Sequence, residues 1–406
     1  MQIDREVLNQ AVLVLIGSSL LSYLLIVFFK HLALHAEVVD KPRHDRFHQQ
    51  PVPLMGGNAI YFAFLIGLVV TGVISPLVGL VMAVGVMAIL YGIFRHRDRL
   101  MLIFVFSSIW CIVLGILLAG DSRNQLLGML LGGTILLMVG NVDDARGGVI
   151  PHVKLIGQAI AGSFLIYFGI KVNFFIDIGV EWQHAWLQNL SYPFTLFWII
   201  GMTNAFNLID NMNGLSCGVA VISSFFFGLI SFVNGQEELG YIFFLFLGAG
   251  LGYLPHNFPR ARIFMGDAGS LFIGFVIAGL SIVGSWSTPE GWATDSLKIS
   301  LTIPILVLIY PIFDTALVTI TRLLRGRPIS LGGKDHSSHR LVKLGLRPAD
   351  AVLLIYSFCA LAGFCGLFLT VIYYEQALLI LAFTVLYILL FGLRLARIDI
   401  KDEGGA

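Results

Sequence analysis

Three clusters of acidic and amide side chains lie at the ends of long apolar segments. They are residues 141–144 (NVDD), 204–211 (NAFNLIDN) and 264–267 (FMGD). An acidic side chain beside hydrocarbon costs free energy, so such residues usually serve a function. Carboxylate oxygens bind hard divalent cations, and those cations stabilise phosphate charge. The clusters therefore predict a divalent-metal and phosphate site that several helix ends assemble.

Each cluster also has a purely structural interpretation. The pair at 143–144 could face water at a helix end. Asn204, Asn207 and Asp210 are spaced by three and share one helical face, where amide groups can also join neighbouring transmembrane helices. For Asn204 both interpretations stay open. Asp267 could simply cap the apolar helix that it begins.

Two loops carry further candidates. Loop 40–57 is basic and rich in turn residues, and it contains His48. Segment 322–347 is the most basic of the chain, and it contains three candidates for phosphate binding: His336, His339 and Arg340. The alternatives are attraction to lipid head groups and anchoring on the positive side of the membrane. Asp314, inside an apolar segment, is structural, paired with an arginine, or part of the site.

The composition predicts an all-α polytopic integral membrane protein. Of 406 residues, 57% are hydrophobic and 12% are charged, against about 25% charged in soluble domains. The balance of 25 Lys and Arg against 24 Asp and Glu gives no indication of nucleic-acid binding. The apolar segments predict about 13 transmembrane helices in a single domain spanning 1–406. These lie near 10–30, 55–74, 77–94, 101–119, 126–141, 155–170, 192–206, 215–233, 239–255, 269–286, 300–321, 351–374 and 376–394.

The positive charges predict the orientation of these helices. All but four of the 25 Lys and Arg fall on one face of the predicted topology; the four are Arg5, Arg123, Lys171 and Lys298. The positive-inside rule makes the rich face cytoplasmic, with the N-terminus outside and the C-terminus inside. The three acidic clusters fall on this same face. Charge distribution and cluster position are independent observations that favour one topology.

Five ordered motifs between Asp40 and Leu341 resemble the polyprenyl-phosphate N-acetylhexosamine-1-phosphate transferases, glycosyltransferase family 4. Each motif is weak alone, but five in order on one face are specific. They are the loop Asp40, Pro42, His48, Pro53, Gly56 and Gly57, the pair Asp143-Asp144, the run Asn204, Asn207 and Asp210, the stretch Asn257, Phe264, Asp267 and Ser270, and the loop of His336 and His339. Arg340-Leu341 after that loop is more similar to the GlcNAc-1-phosphate branch than to the MurNAc-pentapeptide branch.

The resemblance implies a reaction and its partners. N-acetylhexosamine-1-phosphate, with GlcNAc as the expected sugar, would pass from a UDP-sugar to polyprenyl (undecaprenyl) phosphate, and UMP would leave. This would be the first membrane step of a cell-envelope glycan, on the cytoplasmic face of the inner (plasma) membrane. The resemblance implies a Mg2+ cofactor, with Mn2+ as an alternative. A homodimer is compatible with the resemblance. Phospho-MurNAc-pentapeptide transfer is the alternative within the family.

The same resemblance implies residue roles. Asp267 and Asp143 would bind the metal, Asp143 would also take a proton from the lipid phosphate, and Asp144 would support the catalytic group. The matching substrate-binding positions are His48, Lys154, Asn207, Asp210, Asn257, Phe264, His336, His339 and Arg340.

The chain departs from the family pattern at three places. Asn211 and Asn213 stand where the family has Gly and a second Asp, and Ser338 replaces a histidine of the basic loop. An extra helical hairpin is inserted at about 77–120, which adds two helices to the 11 of relatives and preserves the facing of every later motif.

Three other classes compete with this interpretation. A transporter would place polar groups near the membrane centre and often show a repeated half, and the sequence shows neither. A phosphotransferase of the CDP-alcohol type would share the DDARG sequence at 143–147 but needs further spaced aspartates that are missing. An inactive homologue is compatible with Asn213 and Ser338.

Overall fold

The computed structural model describes residues 4–40, 50–95, 110, 125–172, 189–284, 286, 302–328, 333, 335–370 and 374–398. Within these ranges the chain forms helices and one pair of two-residue strands. The first half contains α1 (Arg5–His35), β1 (Val39–Asp40), β2 (Val52–Pro53), α2 (Gly56–Val70), α3 (Pro76–Arg95), α4 (Gln125–Arg146), α5 (Pro151–Tyr167) and α6 (Ser191–Leu208). The second half contains α7 (Leu215–Val233), α8 (Glu237–Asn257), α9 (Gly266–Val283), α10 (Thr302–Val307), α11 (Ile309–Leu324), α12 (Ser337–Lys343), α13 (Pro348–Phe368) and α14 (Tyr374–Ala396).

These helices confirm an all-α, multi-pass membrane protein. In the described ranges, 8 helices are long and apolar enough to cross a membrane. Helices occupy every predicted segment except 101–119, the second arm of the predicted hairpin, which lies outside the described residues apart from residue 110. Segment 300–321 is divided into α10 and α11, which meet at Leu308. The total of about 13 spans and the orientation stay predictions.

Helix α9 lies at the centre of the bundle and packs against α2, α4, α6 and α7. Its close approach to α2 depends on Gly57, because a Cβ atom there would lie 2.2 Å from the Gly269 Cα. The neighbouring backbones are also joined directly. The Gly57 N–H donates to the Met265 carbonyl at 3.0 Å, and the Gly56 N–H donates to the Phe264 carbonyl at 2.9 Å. The Gly-Gly pair thus ties the start of α2 to the start of α9.

Amide pairs join the helices around α9. Asn58 of α2 and Asn141 of α4 exchange two hydrogen bonds, of 2.8 and 3.0 Å, in a fully buried position. Asn204 of α6 and Gln158 of α5 do the same at 2.7 and 3.1 Å. A buried amide with both groups bonded avoids the cost of an unpaired polar group. The structure thus gives Asn204 the helix-packing role, one of the two left open.

Candidate active site

Three carboxylates from two helix ends meet at one point. Asp143 and Asp144 lie in the last turn of α4, and Asp267 lies in the first turn of α9. One oxygen from each of the three lies within 4.8 Å of the others. Asp143 is buried and the other two are half-buried, so this concentration of negative charge is partly removed from bulk water. Such an arrangement needs a nearby cation to be stable.

Asp144 holds the first turn of α9 in place. Its carboxylate accepts hydrogen bonds from the backbone N–H groups of Asp267, at 2.9 Å, and Ala268, at 3.3 Å. These N–H groups have no partner within their own helix, and a negative charge there is further favoured by the helix dipole. Gly266 makes the contact possible, because it has φ +73° and a Cβ would lie 2.3 Å from Asp144 Oδ2.

Lys154 supplies the cation. It lies in the first turn of α5, and its Nζ forms an ion pair with Asp143 Oδ1 at 2.9 Å and a short contact with Asp267 Oδ2. The turn between α4 and α5 is fixed by a 2.7 Å hydrogen bond from the Val149 N–H to Asp143 Oδ1, and Pro151 begins α5. A proline at this position is suited to a helix start, since its missing N–H has no helical partner to lose.

Asn207 orients the remaining oxygen of Asp267. Its Nδ2 donates to Asp267 Oδ1 at 3.1 Å and to Ser270 Oγ at 2.8 Å. Asp267 is therefore held from two sides, by Lys154 from α5 and by Asn207 from α6. Four helices thus contribute to the site, and two of them supply its carboxylates. Carboxylate oxygens at this spacing fit a hard divalent cation such as Mg2+.

Two predicted substrate-binding residues fix loops beside this cluster. The Asn257 Nδ2 donates to the Ile263 carbonyl at 2.9 Å, and its Oδ1 accepts from the Gly214 N–H. Phe264 is half-buried, and its N–H donates to the Pro53 carbonyl at 2.8 Å. Through these bonds the loop before α9 is joined both to the turn before α7 and to the strand before α2.

A second polar cluster surrounds the basic loop. Asp314 is fully buried in α11 and accepts from His336 Nδ1 at 2.7 Å, the Ser337 N–H at 2.7 Å and Ser337 Oγ at 2.6 Å. Tyr310 OH lies 3.1 Å from Ser337 Oγ. The partner of Asp314 is therefore a histidine, rather than the arginine considered from the sequence. His339 is half-buried, with its ring centre 6.5 Å from that of His336.

Arginines fix the same loop to the bundle. Arg322 forms a two-point ion pair with Asp335, with Nε–Oδ2 at 2.7 Å and Nη2–Oδ1 at 2.6 Å. Burial favours a higher pKa for Asp335, but the hydrogen bonds and charge of Arg322 outweigh it and hold the pKa below its usual value. Arg340 is fully buried, and its guanidinium donates to three protein oxygens: the Asp335 carbonyl, the Leu395 carbonyl and Thr321 Oγ1. In this structure Arg340 joins α11, α12 and α14, and its substrate-binding role stays a prediction.

The end of α6 connects the two clusters. Asn207 bonds to the acidic cluster, while Asn211, one turn later, accepts a 2.8 Å hydrogen bond from Ser338 Oγ of the basic loop. The Asn211 Nδ2 donates to the Leu208 carbonyl at 2.9 Å, so both ends of its amide are in use. Two of the positions that depart from the family pattern are therefore in direct contact with each other.

Asn213, which also departs from the family pattern, has a local partner of its own. The Asn213 Nδ2 donates to the Pro259 carbonyl at 3.1 Å. A carboxylate has no hydrogen to donate, so aspartate could not form this bond. Asn213 thereby ties the turn after α6 to the loop that follows α8.

The remaining predicted residues fall in different places. Asp210 is half-buried in the turn after α6, three residues from Asn207. His48 lies outside the described residues. Sequence reasoning did not single out Asp335, which no pattern marks except its position next to His336. The strands β1 and β2 pair Val39 with Pro53 and bring the two ends of the His48 loop together.

The fold and the site define a class. A multi-pass helical membrane protein with clustered carboxylates, a bridging lysine and a basic loop at its helix ends has the parts of a membrane enzyme that acts on phosphorylated substrates. Comparison with known proteins narrows this class. The family model for glycosyl transferase family 4 matches residues 126–285, which contain Asp143, Asp144, Lys154, Asn207 and Asp267. Over these 160 of its 406 residues, the chain is similar to glycosyl transferase family 4.

Similarity to individual relatives extends over most of the chain. A probable undecaprenyl-phosphate N-acetylglucosaminyl 1-phosphate transferase of Bacillus subtilis is 29% identical over 339 residues, 83% of this chain and 79% of that protein. A decaprenyl-phosphate N-acetylglucosaminephosphotransferase of Mycolicibacterium smegmatis is 29% identical over 371 residues, 88% of this chain and 81% of that protein. A phospho-N-acetylmuramoyl-pentapeptide-transferase of Staphylococcus aureus is 33% identical, over 36% of this chain and 49% of that protein.

Proposed function

We propose that this protein transfers N-acetylglucosamine-1-phosphate from UDP-N-acetylglucosamine to a polyprenyl phosphate and releases UMP. The observation that carries the proposal is the meeting of Asp143, Asp144 and Asp267 with Lys154 at the ends of three helices. The named activities of relatives that span most of the chain support the sugar and the lipid. The S. aureus similarity covers about a third of the chain, so phospho-MurNAc-pentapeptide transfer is the weaker candidate.

The reaction requires control of negative charge. A lipid phosphate must approach a diphosphate, and both repel the carboxylates of the site. Asp143 and Asp267 would hold a Mg2+ ion, which when bound would offset the charge of the donor diphosphate. Lys154 offers a positive group beside the same oxygens, and the basic loop offers His336 and His339.

Side chains of the protein would carry out proton transfer and hold the site in position. Asp143 would accept the proton of the lipid phosphate, since its carboxylate is directed to the cluster from the end of α4. Asp144 would keep the start of α9 in position, and Asn207 would keep Asp267 from rotating. The donor would lie between the acidic cluster and the basic loop, which the end of α6 connects. The site would then lie at the cytoplasmic face of the plasma membrane, where soluble donor and lipid acceptor would meet.

A direct assay tests the proposal. The protein, purified in detergent with Mg2+ and undecaprenyl phosphate, should release UMP from UDP-GlcNAc. Parallel reactions with UDP-GalNAc and UDP-MurNAc-pentapeptide identify the sugar. Asp143→Asn and Asp267→Asn should each abolish release, whereas Asp350→Asn, which removes an exposed carboxylate, should retain it. If none of the three donors yields UMP while the B. subtilis relative is active alongside, the proposed function is wrong.

A further inference from the structure

Lys154 occupies the position that a metal ion would need. Its Nζ lies 2.9 Å from Asp143 Oδ1 and in short contact with Asp267 Oδ2, and these two residues are the expected metal ligands. A Mg2+ ion binds carboxylate oxygen at about 2.0–2.1 Å. An ammonium group and a divalent ion on the same two oxygens would be close neighbours of like charge, partly shielded from water. The two cations are therefore alternatives at this point.

We propose that Lys154 is an exchangeable counter-ion: it offsets part of the carboxylates' charge when no metal is bound and leaves them when a metal arrives. The inference rests on the proposed metal site but not on the identity of the sugar or of the lipid. The geometry permits such a movement. The Lys154 side chain is 22% exposed, and its four-carbon stem carries the charge at the end of rotatable bonds.

The neighbouring contacts explain why the carboxylates would stay in place during the exchange. Asp144 is bound to the backbone of α9, and Asp267 is held by Asn207 through its other oxygen. Asp143 accepts from the Val149 N–H at 2.7 Å, independently of Lys154. The ligands are thus fixed by bonds that do not involve the lysine. After release, the ammonium group would be available to the diphosphate of the donor, beside the metal that replaced it.

This arrangement predicts that removing a positive charge from the site tightens metal binding. Mn2+ is the probe, and its binding is measured by electron paramagnetic resonance on the purified full-length protein without nucleotide. Lys154→Met should bind Mn2+ about tenfold more tightly than wild type, a coupling within the usual range for linked sites. Lys171→Met is the matched control. It removes the same charge just past the other end of α5, about 25 Å away, and should leave Mn2+ affinity unchanged.

Two further measurements complete the test. Asp143→Asn should weaken Mn2+ binding in both the wild-type and the Lys154→Met background, which assigns the bound ion to this site. In wild-type protein, Mn2+ should increase acetylation of Lys154 by acetic anhydride relative to Lys171, as measured by mass spectrometry, because the freed amine becomes reactive. This second readout needs no variant and applies even if Lys154→Met fails to fold.

The proposal is overturned if Lys154→Met binds Mn2+ equally or less tightly, or if Mn2+ leaves Lys154 acetylation unchanged. Neither readout requires turnover. Mn2+ exchange without UMP release would therefore contradict the proposed function and leave this inference standing. UMP release without a change in Lys154 acetylation would support the proposed function and contradict this inference.

Discussion

The carboxylate of Asp144 accepts a 2.9 Å hydrogen bond from the backbone N–H of Asp267, across 123 positions of sequence. One acid of the site thus caps the helix that carries another. As a result, Asp267 has no capping role and both of its side-chain oxygens are directed to Lys154 and Asn207. The paired aspartates therefore have different roles: Asp143 contacts the ammonium group of Lys154, and Asp144 stabilises the start of α9.

Asp144→Ala should lower both stability and turnover. Loss of a capping carboxylate costs about 0.5–2 kcal/mol, and here it also leaves the start of α9 free to shift Asp267. The matched control is Asp4→Ala. Asp4 caps α1 by accepting from the Glu6 N–H at 3.1 Å at an exposed end, so its loss should cost at most similar stability and leave UMP release unchanged. Thermal unfolding in detergent and UMP release measure the two effects. Equal melting temperatures for Asp144→Ala and wild type would contradict the capping role.

Removal of divalent metal should stop turnover without unfolding the protein. Lys154 still offsets part of the negative charge of Asp143 and Asp267 when the metal is absent, so these carboxylates keep a cation beside them. EDTA should abolish UMP release, and added Mg2+ should restore it. Circular dichroism should be unchanged throughout. A loss of helical signal with EDTA would show that the metal, and not Lys154, is the structural cation.

The grouping of the acidic clusters could be anticipated from the sequence, because all three lie at an end of a predicted span on one predicted face. The different roles of Asp143, Asp144 and Asp267 could not be predicted from the sequence. Spacing rules describe residues on one helix, whereas the Asp144 cap joins α4 to α9. The same limit applies to Asp314, whose histidine partner is 22 positions away, and to Arg340, whose burial depends on the last helix of the chain.

Asp335→Asn should lower the free energy of unfolding at pH 7, and this loss should be smaller at acidic pH. The ion pair with Arg322 lowers the pKa of Asp335 in the folded state, so its stabilisation is present above the unfolded pKa of about 3.9 and is lost as the pH falls through the folded value. Both partners are less than a fifth exposed, and leaving one of such a pair alone costs on the order of 3 kcal/mol.

The measurement compares melting temperatures of wild type and Asp335→Asn at pH 7 and at the lowest pH the protein tolerates. The gap between them should narrow in acid. Asp350→Asn is the control, because its Arg347 partner is 83% exposed and such surface pairs contribute little. A gap of constant size would show that Asp335 acts through packing and not through its charge.

Gly57→Ala should destabilise the centre of the bundle. The added methyl group would lie 2.2 Å from the Gly269 Cα and 2.3 Å from the Gly269 nitrogen, and backbone atoms cannot move aside as a flexible side chain can. Overpacking of this kind costs about 1–3 kcal/mol. Gly17→Ala is the matched control, since it places the same methyl group on α1 with nothing within 4 Å. Melting temperature should fall for the first variant only. A similar result for both would mean that α2 and α9 can separate at little cost.

The hydrogen bond between Asn211 and Ser338 should couple the basic loop to the end of α6. Asn211→Ala and Ser338→Ala each remove the 2.8 Å contact, so either change alone should weaken the use of the UDP-sugar. The double variant should be no worse than the single ones, because the shared bond can be lost only once. Km and kcat for the donor, measured over a Mg2+ range that saturates the site, distinguish positioning of the donor from loss of fold. Ser223→Ala, which removes a buried hydroxyl bonded to the Val307 carbonyl away from the site, is the control and should leave Km unchanged. Strictly additive losses from Asn211→Ala and Ser338→Ala would mean that the two residues act independently.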